Sequence, residues 1–152
     1  MQKFIIKPLV AVGNINFGME RSEARKILGD YSEYKNRQTD INTADCFAVC
    51  QVFYDDNNCV EFIMFHNLND IELQWEDRII SDMTKDELIS FFSERDDNLD
   101  IEIGTVSFES NKLGVACYFV KDVYFDAEEN EIEFDKVETI SFAGENYWLN
   151  LD

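Results

Sequence analysis

The sequence predicts an α+β domain in which two α-helices pack against a large, curved antiparallel β-sheet. Two observations lead to this prediction. Most apolar runs are short and β-rich, with helical spacing in only two segments, and strands and helices do not alternate as they would in a parallel sheet. The 152 residues are 45% hydrophobic and include 13 Phe, which is enough for a sizeable core. We therefore expect residues 1–152 to form a single domain.

Two segments carry the start and stop signals of helices. The first runs over Glu20–Leu28, and Gly29 after it suits the left-handed residue that ends a helix. The second begins with a capping box, in which the Thr84 hydroxyl and the Glu87 carboxylate each accept a hydrogen bond from a free backbone N–H. The first helix is expected to bury Ala24, Ile27 and Leu28 and to expose Arg21, Arg25 and Lys26.

The predicted strands are β-rich runs separated by turn-forming residues. Asp55–Asn58 is one such turn, a four-residue hairpin loop. The predicted strands are Gly13–Gly18, Cys46–Tyr54, Cys59–His66, Ile71–Trp75, Ile79–Ile80, Asp100–Phe108, Val115–Val120, Val123–Phe125, Glu131–Phe142 and Tyr147–Leu151.

The cysteines and the histidine give little support for an enzyme or a metal site. Cys46 and Cys50 are four residues apart in a predicted strand, so both are expected on one face as buried thiols. His66 is the only histidine, whereas nucleophilic catalysis and zinc binding commonly rely on imidazole. We therefore expect a protein that is not an enzyme and that holds no metal or cofactor.

The charge is distributed unevenly along the chain. The net charge is −19, yet residues 1–38 carry seven Lys/Arg against four Asp/Glu, and residues 39–152 carry six against 28. A surface this acidic serves either solubility or a partner of opposite charge. Direct binding to nucleic acid is disfavoured, because it requires a basic surface.

Three acidic, loop-like segments are candidates for contact with a basic protein, and two of them carry adjacent aromatic residues. In such an interface aromatic rings supply buried area, and carboxylates supply steering and register. The candidate binding residues are Tyr54, Asp55 and Asp56 in the first segment, Asp96, Asp97 and Asp100 in the second, and Tyr124, Asp126, Glu128 and Glu129 in the third. The competing interpretation is that these segments are solvated turns and that Tyr54 belongs to the core.

The amino-terminal segment is apolar but lacks the pattern of a secretion signal. Lys7 and Pro8 interrupt its apolar run, and no small-residue cleavage site follows before Glu20. No other run approaches the roughly 18 apolar residues that a membrane span needs. We expect a cytoplasmic protein without a membrane partner.

The segment Val12–Met19, of sequence VGNINFGM, together with Glu23-Ala24-Arg25 and Leu28-Gly29, resembles an N-terminal pattern of small bacterial immunity proteins. These belong to polymorphic-toxin and contact-dependent growth inhibition systems. Looser similarity continues in Val52–Asp55, Val60–Ile63 and Lys112–Val115. The resemblance implies an antitoxin-like protein that binds a cognate toxin, and it implies no catalytic residues. The acidity suits a nuclease toxin, because such a toxin presents a basic substrate cleft.

Two other classes of function stay open at this point. One is a nonenzymatic structural or regulatory domain whose acidity serves solubility, which predicts carboxylates spread evenly over the surface. The other is an enzyme that uses carboxylates alone, such as a glycoside hydrolase, which needs two acids facing each other across a cleft. The oligomeric state is also open, as is the addition of a partner strand to a sheet edge.

Overall fold

A computed structural model describes residues 1–35, 42–102, 104, 106–145 and 147. It confirms the α+β class, with helices packed on β-sheets. The strands are β1 (Gln2–Lys7), β2 (Ala11–Val12), β3 (Ile15–Asn16), β4 (Tyr31–Lys35), β5 (Asn42–Phe47), β6 (Cys50–Tyr54), β7 (Val60–Phe65), β8 (Ile71–Trp75), β9 (Arg78–Ile79), β10 (Asp100–Ile101), β11 (Ser107–Ser110), β12 (Val115–Phe125) and β13 (Glu131–Ala143), and the helices are α1 (Arg21–Leu28) and α2 (Lys85–Ser93). None of the helices described is long and apolar enough to cross a membrane.

The strands form two sheets where the sequence predicts one. The larger sheet has eight strands in the order β10-β11-β12-β13-β7-β6-β5-β4, and each neighbouring pair is antiparallel. The smaller sheet has five strands in the order β3-β2-β1-β8-β9, and β1 runs parallel to β8. Parallel neighbours need a long crossover connection, which the chain supplies by building β4 to β7 in between. No local pattern predicts this pairing, because its two strands are far apart in the sequence.

One cluster of buried side chains joins both sheets and α2. Trp75 of β8 packs against Phe92 of α2 with 5.1 Å between ring centroids, and it lies 6.3 Å from Phe142 of β13. Phe142 in turn lies 6.1 Å from Phe65 of β7. The aromatic residues therefore supply much of the contact between the two sheets.

The end of α1 and the start of α2 lie where the sequence predicts, and α1 begins one residue later than predicted. Gly29 follows α1 with φ 90°. At the start of α2, the Thr84 hydroxyl accepts from the backbone N–H of Glu87 at 3.3 Å, and the Glu87 carboxylate accepts from the backbone N–H of Thr84 at 3.2 Å. On α1, Ala24 is buried, but Ile27 is 44% exposed. The prediction that Ile27 faces the core is wrong, because α1 turns its arginine side towards the larger sheet.

The predicted strand Cys46–Tyr54 is a hairpin of two strands, β5 and β6, joined by a bend at residues 48 and 49. Cys46 lies opposite Gln51, so it shares the face of Gln51 and not that of Cys50. The prediction that both thiols share one face is therefore wrong: Cys50 is buried, whereas Cys46 is partly exposed. The bend contains no Gly, Pro, Asn or Asp that would have indicated it.

Two other strand predictions also need correction. The segment Gly13–Gly18 contributes only the short β3, because Gly13 (φ 59°) forms the turn between β2 and β3. The segment Asp100–Phe108 contains β10 and the start of β11, which are antiparallel neighbours. Three strands were not predicted: β1, β2 and β4. The predicted strand Tyr147–Leu151 lies outside the described residues apart from Tyr147, which is in a turn.

Candidate protein-binding surface

The two longest strands, β12 and β13, form a hairpin that extends beyond the rest of the larger sheet. β12 pairs with β11 only over Val115–Tyr118, and β13 pairs with β7 only over Ile140–Ala143. Within the described chain, residues 119–138 therefore pair as strands only with each other, and Thr139 lies opposite Tyr118. The sequence predicts two strands here, Val115–Val120 and Val123–Phe125, but β12 is one continuous strand over Val115–Phe125. We refer to residues 119–139 as the distal hairpin.

Large apolar side chains are exposed on the distal hairpin. Phe125 is 68% exposed, Tyr124 53%, Val123 43% and Phe134 38%. Tyr124 and Phe134 pack against each other across the two strands, with 5.8 Å between ring centroids. Tyr124 and Phe134 lie on one face of the hairpin, and Val123 and Phe125 lie on the other, because successive residues of a strand alternate. Several exposed apolar side chains in one short segment are typical of interaction surfaces, whereas isolated ones are common on any protein.

Carboxylates surround these apolar side chains. The distal hairpin contains eight acidic residues and two lysines, which gives it a formal charge of −6. Near its base, Lys121 and Lys85 contact Asp135 at 2.9 and 3.2 Å. Both hydrogen bonds lower the pKa of Asp135, and the bond from Lys121 has the larger effect. In the part of the chain that the structure describes, no basic side chain pairs with Glu128, Glu129 or Glu131.

The tip of the distal hairpin is held by one of the predicted binding residues. The Asp126 carboxylate accepts from the backbone N–H of Glu128 and of Asn130, both at 2.9 Å. These hydrogen bonds lower the pKa of Asp126, and the bond from the N–H of Asn130 has the largest effect. The carboxylate is therefore ionised at neutral pH. Glu128 and Glu129 are exposed beside it. Asp126 therefore shapes the turn that presents the two glutamates.

The first predicted cluster lies at the opposite end of β13 from this tip. Its loop joins β6 to β7, and β7 pairs with Ile140–Ala143 at the end of β13. Tyr54 is only 5% exposed, and its hydroxyl donates to Asp45 at 2.8 Å. Asp55 accepts from the backbone N–H of Asn57 and Cys59. The assignment of Tyr54 to a binding surface is therefore corrected: it is a core residue, and of this cluster only Asp56 is fully exposed.

The second predicted cluster lies just before β10 and at its first residue, Asp100, two strands away from β12 in the sheet. Asp96 is 5% exposed and accepts from the Ser110 hydroxyl and the backbone N–H of Asn98. These hydrogen bonds lower the pKa of Asp96, and the bond from Ser110 has the largest effect. Asp96 therefore fixes a turn and offers no surface to a partner, which corrects its assignment. Asp97 and Asp100 are exposed, and the fold does not unite them with the distal hairpin.

A buried ionic cluster that the sequence analysis missed lies between α1 and β5. The Asp45 carboxylate, 0% exposed, accepts from Arg21 at 2.9 Å, from Arg25 at 2.8 and 2.9 Å, and from the Tyr54 hydroxyl. Burial alone would raise the pKa of Asp45, but the hydrogen bonds from Arg25, Arg21 and Tyr54 outweigh it and lower this pKa to about 2. Burial and the bond to Asp45 raise the pKa of Tyr54.

The prediction that Arg21 and Arg25 lie on an exposed face is wrong. Their side chains are only 11% and 24% exposed, and their guanidinium groups lie over the rings of Tyr54 and Tyr31 at 4.3 and 3.9 Å. Two arginines four residues apart share one side of a helix, and that spacing is the one sequence signal for this cluster. Its geometry ties α1 to the sheet and leaves no open position for a ligand at Asp45.

A groove of about 660 Å³ lies beside the distal hairpin, between β13 and the segments that follow β7 and β9. His66 lines it, as do the carboxylates of Asp82, Asp122 and Glu138. No group of three or more His, Cys, Asp or Glu side chains among the described residues is arranged to hold a metal ion.

No protein-family model matches the chain, and no curated protein or solved structure matches it either.

Proposed function

We propose that this protein is an immunity protein that binds a cognate bacterial toxin domain and covers its basic surface. A nuclease is the expected class of toxin. The observation that carries the proposal is the distal hairpin, which combines exposed aromatic side chains with three carboxylates, those of Glu128, Glu129 and Glu131, that have no described basic partner. The resemblance of Val12–Met19 to immunity proteins supports the same function.

The distal hairpin has the two components that a protein interface uses. Tyr124 and Phe125 offer large rings with few rotatable bonds, so they bury area at a small cost in conformational entropy. The surrounding carboxylates raise the rate of encounter with a basic surface and fix its orientation. A basic nuclease cleft attracts phosphates, and a row of exposed carboxylates can occupy the same positive potential.

The uneven distribution of charge favours this proposal over acidity that serves solubility alone. Residues 1–35 carry six Lys/Arg and four Asp/Glu, whereas the 21 residues of the distal hairpin carry two and eight. A surface selected only for solubility needs no such concentration of charge. It also gains nothing from the exposed Phe125, which by itself favours association.

The direct test is co-expression with the toxin domain encoded immediately upstream of this protein, followed by purification on a tag carried by the toxin. We expect a stable complex whose association rate constant falls as salt is raised, since exposed charges are screened. An unrelated protein of similar negative charge is the control and should not be retained. Absence of a complex with the neighbouring toxin contradicts the proposal.

A further inference from the structure

The groove beside the distal hairpin exists because β7 leaves the sheet before β13 does. β7 pairs with β13 as far as Phe65, which lies opposite Ile140, and the chain then turns into a 3-10 segment at Leu68–Asp70. The space that a longer β7 would fill is the groove of about 660 Å³. It follows the edge of β13 along residues 134–138. The fold therefore leaves the position of a missing strand open.

The backbone of β13 directs hydrogen-bonding groups towards this open position. In an antiparallel pair, alternate residues bond to the partner strand, and the residues between them point the other way. The Asp126 N–H donates to the Asn130 carbonyl at 3.0 Å, which sets the alternation for the distal hairpin. The same alternation requires Phe119 to point away from β13, and its N–H indeed donates to Val106 at 2.8 Å. On β13 the outward residues are then Glu131, Glu133 and Asp135.

The opposite edge of the distal hairpin is less open. On β12, the outward N–H of Phe119 already donates to Val106, and the N–H of Val123 donates to the Asp122 carboxylate at 2.8 Å. The free edge of β13 is therefore the better site for strand addition. Along residues 131–137, the backbone groups that point outward from β13 extend over roughly 20 Å, at about 3.3 Å per residue.

The charge of the groove defines which segment fits there. Among the described residues, no basic side chain pairs with Asp82 or Glu138, which both line the groove. Lys136 is the one lysine of the lining. An extended segment that carries Lys or Arg at alternate positions can therefore satisfy the backbone of β13 and the carboxylates of the groove together.

We propose that the free edge of β13 takes up an extended, basic segment of the toxin as an additional β-strand. This inference rests on the proposed function and states how the complex forms. Main-chain hydrogen bonds to Glu133 and its outward neighbours supply affinity, and the carboxylates of the groove select basic side chains.

Three variants of the full-length protein test this inference in complex with the neighbouring toxin domain. Glu133→Gln removes the side-chain charge and keeps the N–H. Glu133→Pro removes both, and an edge strand tolerates proline. Ile101→Pro is the matched control, because Ile101 lies in β10, an edge strand of the same sheet outside the distal hairpin. The N–H of the next residue, Glu102, donates inward to Ser107, so that of Ile101 points outward as that of Glu133 does. We expect Glu133→Pro to weaken binding about tenfold more than Glu133→Gln, the effect of one lost hydrogen bond plus the clash of the ring with the added strand. Ile101→Pro should bind within about twofold of the unaltered protein.

Amide hydrogen exchange of the unaltered complex gives a second measurement that does not depend on the folding of a variant. The N–H groups of Glu133 and Asp135 should exchange at least tenfold more slowly in the complex, while those of Lys121 and Ile101 should change little. If Glu133→Pro and Glu133→Gln bind equally and no protection arises along β13, strand addition is wrong, although the toxin still binds. If no complex forms at all, the proposed function itself fails.

Discussion

The Asp45 cluster and the distal hairpin are built from the same kinds of side chain and have opposite properties. At Asp45 one carboxylate is buried, and two arginines and a tyrosine hydroxyl bond to it. On the distal hairpin many carboxylates are exposed around aromatic rings that are themselves exposed to solvent. A cluster whose groups satisfy each other holds the fold together, whereas a cluster that the fold leaves unsatisfied is available to a partner. The difference separates the structural acids of this protein from those that are candidates for binding.

Removing the Asp45 carboxylate should have the largest effect on stability. Asp45→Asn leaves Arg21 and Arg25 without their buried partner, which typically costs about 3–5 kcal/mol in the free energy of unfolding. Urea denaturation measures this change. The matched control is Glu33→Gln, because Glu33 contacts Arg25 at 3.3 Å but its side chain is 46% exposed; we expect a loss of at most about 1 kcal/mol. Equal effects of the two substitutions would mean that Asp45 is not the centre of the cluster.

Acid should reduce the contribution of the Asp45 cluster to the free energy of unfolding. The pKa of Asp45 is lowered from 3.8 to about 2 in the folded protein, so its contribution to stability is present above pH 4. That contribution is lost as the pH falls from about 4 to about 2, and it amounts to about 2 kcal/mol. The measurement is the difference in unfolding free energy between the unaltered protein and Asp45→Asn at pH 7 and at pH 2. A difference that stays constant over this range would contradict the lowered pKa.

Removing one exposed ring should have a smaller effect, on binding and not on stability. Phe125→Ala should weaken toxin binding about tenfold, a typical loss for an aromatic anchor, and should change the unfolding free energy by less than about 0.5 kcal/mol. Ile5→Ala is the matched control, because Ile5 of β1 is 51% exposed on the smaller sheet. If both substitutions weaken binding equally, the distal hairpin is not a distinct interface. Isothermal titration with the purified toxin domain measures the affinity of both variants, and urea denaturation measures their unfolding free energies.

Local signals predicted much of the fold, and long-range contacts account for what was missed. The capping box at Thr84 and the stop at Gly29 depend on neighbouring residues alone, so the sequence was sufficient. The parallel pairing of β1 with β8 and the contact of Arg25 with Asp45 join distant segments, which no local pattern contains. The same limit explains Tyr54 and Tyr124. Both are aromatic residues next to acidic turns, but a neighbouring helix with two arginines covers only Tyr54.

The most direct measurement of the central claim compares two triple variants of equal charge. Glu128→Gln, Glu129→Gln and Glu131→Gln neutralise three carboxylates of the distal hairpin, and Asp30→Asn, Asp77→Asn and Glu94→Gln neutralise three exposed carboxylates elsewhere. Stopped-flow mixing with the toxin domain at low salt gives the association rate constant of each. We predict that the distal-hairpin variant associates about tenfold more slowly and depends less on salt, whereas the other stays within about twofold of the unaltered protein. Equal slowing of both would show that net charge, and not the distal hairpin, drives recognition.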